Sequence, residues 1–74
     1  MILRLVLWNL ADSKTSLDEL KTHLPPPADG DVWIANEPQE RFGFVSTGDA
    51  PPDFEQVRGL IGKDPEVLEE FDVL

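Results

Sequence analysis

Gly30-Asp31-Val32-Trp33-Ile34-Ala35-Asn36 leads through Glu37-Pro38-Gln39-Glu40 into Arg41-Phe42-Gly43-Phe44-Val45-Ser46-Thr47-Gly48. Two β-rich runs flank a polar connection containing proline, the pattern of a β-hairpin with strands at about 31–36 and 41–47. Side chains alternate along a strand, so Val32 and Ile34 point one way and Trp33 and Ala35 the other. Phe42 and Phe44 likewise share one face, with Gly43 and Val45 on the other. Both faces of the hairpin are therefore apolar. One helical layer covers only one face of a sheet, and something else is expected to cover the second.

Working back toward the start, residues 2–8 form an apolar run broken by one charge. Seven residues suit a strand and are too few for a free-standing helix. Leu3, Leu5 and Leu7 would line one face, and Ile2, Arg4, Val6 and Trp8 the other. A strand apolar on both faces belongs in the middle of a sheet. The run is too short and too quickly interrupted, by Arg4 and then Asp12, to read as a signal peptide. Nothing approaches the roughly 20 apolar residues that span a bilayer.

Between these strands, Ser16-Leu17-Asp18-Glu19 matches a helix capping box, and Leu17, Leu20 and Leu24 fall on one helical face. Pro25-Pro26-Pro27 ends that helix. Ala28-Asp29-Gly30 and Gly48-Asp49-Ala50-Pro51-Pro52 carry turn signals. Beyond the hairpin, Asp53 is the expected cap of a second helix, with Gln56 at the capping-box position and Gly62 at the left-handed stop. Phe54, Val57, Leu60 and Ile61 supply its apolar side. Asp64-Pro65 opens a further segment, read either as a short helix burying Val67, Leu68 and Phe71 or, for Phe71 and Val73 about Asp72, as an edge strand.

The 74 residues make one small α+β domain, 1–74, in the order β-α-β-β-α with a final (-β). The simplest arrangement is an antiparallel sheet with both main helices on one face, the ferredoxin-like plan. A chain this short buries only about 60% of its unfolded surface and is marginal alone. It has no Cys, so disulfides and thiolate zinc sites are excluded, and oligomerisation is the remaining staple. Absence of Cys also suits a reducing, cytoplasmic setting.

Fifteen acids against six Lys and Arg give a net charge of −9. That argues against direct binding to nucleic acid or anionic lipid. Residues 49–74 carry eight of the acids and two of the bases, which raises the alternative of an acidic inhibitor that mimics nucleic acid. No serine lies in a nucleophile elbow and no calcium-loop or phosphate-loop spacing occurs. No catalytic residue, metal site or cofactor is expected. His23, the only imidazole, fits a structural role at a helix C-terminus. The expected interface instead comprises Arg4, Val6, Trp8, Trp33 and Val45, taken to project from the open sheet face. Tryptophan and arginine on an apolar surface are what interfaces favour, and Trp33→Glu would then break assembly and spare the fold.

The opening Met1-Ile2-Leu3-Arg4-Leu5-Val6-Leu7-Trp8 and the element order resemble the dimeric α/β-barrel superfamily, the stress-responsive and antibiotic-biosynthesis monooxygenase-like domains. The resemblance implies a homodimer that packs two sheets face to face. It also implies an alternative function, a cofactor-free enzyme or binding protein for an aromatic or polyketide-like ligand, with His23 and Asn36 as the polar groups of the cavity. Arg4 stands where many such domains carry His. Asp64-Pro65-Glu66-Val67 stands where many carry His-Pro-x-His, so that family's acid–base chemistry is not expected here. The leading expectation is a non-enzymatic interaction module, a homodimer or a domain docked on another protein.

Overall fold

The computed structural model describes residues 1–27, 30–48 and 53–74; the two expected turns at 28–29 and 49–52 lie outside them. Strand β1 (Ile2–Asn9) is followed by helix α1 (Leu17–His23), strands β2 (Val32–Asn36) and β3 (Arg41–Thr47), helix α2 (Glu55–Ile61) and strand β4 (Val67–Asp72). The sheet is antiparallel in the order β2-β3-β1-β4, the ferredoxin-like arrangement. β1 and β3 are its central strands, as the apolar character of residues 2–8 requires.

The capping signals act largely as read. Ser16 Oγ accepts from the Glu19 amide at 3.2 Å, while the Glu19 carboxylate turns to the Thr15 hydroxyl rather than back to Ser16. Asp53 accepts from the Glu55 amide, so α2 starts one residue later than a cap at Asp53 would place it. Gly62, at φ 90°, closes α2 with its amide on the Arg58 carbonyl. Between β2 and β3 the chain makes one 3-10 turn, Glu37–Gln39, and leaves it through Glu40 in the left-handed region at φ 53°.

Residues 67–72 form a strand, not the short helix that the spacing of Val67, Leu68 and Phe71 allowed. The competing force is the free edge of β1, whose backbone groups need partners. β4 supplies them from Ile2↔Asp72 to Leu7↔Val67, extended by bonds from the Glu66 amide to Leu7 and from the Val73 amide to Met1. Three carboxylates, Glu69, Glu70 and Asp72, sit on this bordering strand.

The core lies between the sheet and the helices. Val6, Trp8, Phe42 and Phe44 come from the sheet, Leu20 from α1, Val57 and Ile61 from α2, and Leu10 closes one end. The rings form a continuous cluster. Trp8 meets Phe54 edge-on at 5.7 Å, and Trp33 lies 5.8 Å from Phe42 and 5.5 Å from Phe44. Both indole N–H groups are satisfied, Trp8 on the Lys63 carbonyl at 2.9 Å and Trp33 on that of Pro25 at 3.2 Å.

One surface ion pair ties α1 to the turn after β2. The hydrogen bond from Lys21, with its charge, holds the Glu37 carboxyl below its usual value of 4.5, and Glu37 raises Lys21 in return. A depressed carboxyl stabilises the fold above its unfolded pKa and loses that contribution as pH falls through the folded one. Glu37→Gln should therefore lower the urea midpoint slightly at neutral pH, and the difference from wild type should vanish on acidification below the usual carboxylate range.

Candidate functional site: the open sheet face

Register assigns every strand residue to a face. Arg4, Val6 and Trp8 stand opposite Ser46, Phe44 and Phe42, and Trp33 is level with Phe44, so all of them face the helices. Val6 and Trp8 have no exposed surface and Arg4 keeps 6%. This reverses the expected interface: Arg4, Val6, Trp8 and Trp33 belong to the covered side, and Val45 alone of that set lies on the open one. Volume explains the reversal. The gap beneath two helices is filled by the widest side chains, and β1 offers a tryptophan there next to two phenylalanines on β3.

Arg4 is accommodated on the covered side by bonds at the sheet's margin. Its Nε donates to Glu70 at 3.1 Å and its Nη1 to the Gly48 carbonyl at 3.0 Å. An arginine with a buried stem and a partnered head is compatible with a core boundary. Here it also fixes β4 and the end of β3 to β1.

The opposite face is built from the alternate residues. β1 contributes Leu3, Leu5 and Leu7, β3 contributes Gly43 and Val45, and β2 contributes Val32 and Ile34. β4 adds Val67 and Phe71. Both helices place their buried residues on the other side of the sheet. Val32 is 59% exposed and Phe71 48%, while the three leucines are half-buried only by their neighbours in the sheet. Among the strand residues of this face the ionisable groups are Arg41 and Glu69, one of each sign. A molecule of net charge −9 thus presents a neutral face.

Gly43 shapes that face. It lies in register between Leu7 and Ile34, and a depression of about 200 Å³ lined by Leu7, Ile34, Ala35, Asn36 and Arg41 opens beside it. This glycine does not make room for either tryptophan. It faces away from both indoles, and its Cβ would stand 1.8 Å from the Val6 carbonyl oxygen. The glycine permits close approach of the two central strands.

The expected polar pair is not assembled in this depression. Asn36 lines it, whereas His23 ends α1 as an exposed residue and is not part of its wall. A larger cleft of about 390 Å³ on the helix side brings Asp31, Asp53 and Glu55 near Trp33 and Pro25. Among the described residues no group of three His, Asp or Glu is arranged to hold a metal ion. The acids of 53–74 do not form one stripe. Glu55 and Asp64 pair with Arg58, Glu70 pairs with Arg4, and Glu69 lies on the opposite face from Glu70.

Among the described residues no helix is long and apolar enough to cross a membrane. Neither a protein-family model nor a curated protein matches the chain.

Proposed function

We propose that this chain is a non-enzymatic protein-interaction module that associates through the open face of its sheet, with a second copy of itself as the first partner. The observation that carries the reading is the face itself: leucine, isoleucine and valine across four strands, neutral in a strongly acidic molecule. At about 4.8 Å between strands and about 3.3 Å per residue, it projects to on the order of 400 Å². Monomeric proteins rarely leave contiguous apolar patches beyond a few hundred Å² in water. Two such faces together come within reach of the roughly 1,000 Å² that a specific interface needs. The likeness of the first strand and element order to the dimeric α/β-barrel domains supports the same mode of association.

The test is solution mass by light scattering, on the natural chain and on Leu5→Asp. A dimer should give way to a monomer in the variant, with the far-ultraviolet dichroism unchanged, because Leu5 faces away from the core. A monomer before and after the substitution refutes the reading. Salt separates it from the acidic-mimic alternative. Screening weakens repulsion between two copies of charge −9, so self-association should tighten with added salt, whereas binding of a basic partner should weaken.

A further inference from the structure

Arg41 and Glu69 are placed so that one two-fold axis can satisfy both. Neither makes an ion pair among the described residues, where Arg4, Lys21 and Arg58 do and Lys14 and Lys63 do not. Arg41 lies on β3 level with Asn9, and Glu69 lies on β4 level with Leu5. β1 runs between those strands, and Leu7 is halfway between Leu5 and Asn9. Leu7 is therefore the midpoint of the line joining the two charges.

Resting on the reading that the open face joins two copies, we infer that the copies meet about a two-fold axis passing over Leu7, which sets Arg41 of each on Glu69 of the other. Face-to-face dimers of one chain are isologous, so a contact made once is made twice. Arg41 and Glu69 are two strands apart, about 10 Å, and four residues apart, about 13 Å, on ideal sheet spacings. The axis that exchanges them crosses the strands at about 54°, so strands of the two sheets cross at about 70°, close to the orthogonal class of sheet packing. The same rotation brings Leu5 of the second copy over Gly43, beside the depression lined by Leu7, Ile34, Ala35, Asn36 and Arg41. Charge pairing and the filling of the dent follow from one operation.

Two measurements test the arrangement on the full chain. The first uses the absence of native cysteine. Facing sheets lie about 10 Å apart, too far for a direct disulfide, whose Cα atoms lie within about 7 Å. The probe is a two-carbon bis-methanethiosulfonate linker. Leu7→Cys should be linked nearly completely into a covalent dimer. Leu3→Cys, whose copies the axis separates by about 20 Å on the same spacings, should not.

The second measurement uses charge reversal. Glu69→Arg changes the net charge from −9 to −7, so general repulsion between copies falls. The variant should nevertheless dimerise about tenfold more weakly, because each interface would hold two arginine–arginine contacts. Adding Arg41→Glu should restore the original affinity. A dimer that links through Leu3→Cys but not Leu7→Cys, or that tightens with Glu69→Arg, overturns this arrangement and leaves the open-face reading standing. A natural chain that is monomeric at every salt concentration overturns both.

Discussion

Trp8→Ala is expected to abolish the folded state. Trp8 has no exposed surface and contacts Phe42, Phe44 and Phe54 at ring-centre distances of 6.5, 6.4 and 5.7 Å. Truncation would leave a cavity beneath both helices and strip the Lys63 carbonyl of its indole donor. Such substitutions cost about 3–5 kcal/mol. A domain of this length holds about 4–11 kcal/mol in all, at about 0.05–0.15 kcal/mol per residue, and small size places it toward the lower part of that range. Near-ultraviolet dichroism should collapse at room temperature, or the urea midpoint should fall almost to zero. Trp33→Glu should also damage the fold, since that ring is part of the same cluster. Leu5→Asp should leave the fold intact. Residues of opposite parity on the sheet thus have opposite phenotypes, and a folded Trp8→Ala would show that the faces have been assigned the wrong way round.

Gly43→Ala should be nearly as damaging, for a different reason. The added methyl would meet the Val6 carbonyl oxygen at 1.8 Å, the Val6 carbonyl carbon at 2.8 Å and the Leu7 Cα at 2.9 Å. None of these is the end of a side chain that can rotate away. All belong to the backbone of the neighbouring central strand, so relief requires β1 and β3 to part along their ladder. Overpacking costs about 1–3 kcal/mol when side chains can adjust, and a loss of about 3 kcal/mol or more is expected here. Gly59→Ala is the control. Nothing lies within 4 Å of its added methyl, and it sits inside α2, so it should gain about 0.5–1 kcal/mol. Urea midpoints of the two variants should move in opposite directions. Equal and small shifts would mean that the central strands tolerate separation.

The elements were legible in the sequence because each carried a local signal. Ser16 and Gly62 bound the helices, alternation marked the hairpin, and the double-sided apolar run of residues 2–8 announced a central strand. The facing of that strand was not legible from its own residues. Leu3, Leu5 and Leu7 make as good a core as Val6 and Trp8, and Arg4 beside Trp8 argued for the wrong side because arginine and tryptophan are what interfaces favour. Phe42 and Phe44 held the deciding signal, since two large rings of one parity on the paired strand must face the thick side of the domain. Using it required the register, which is a long-range property. The C-terminal strand was only half legible for a related reason. Its spacing suits a helix as well as a strand, and the unpaired margin of β1, more than sixty residues earlier, made the choice.

The three carboxylates on β4 have a consequence for how the molecule behaves in a crowd. A second copy pairing its own β4 alongside that strand would bring its acids to about 4.8 Å, where like charges directly opposed are unfavourable. Edge-to-edge joining of two sheets through β4 is thereby discouraged, and under the proposed reading the apolar face is the surface through which copies would meet.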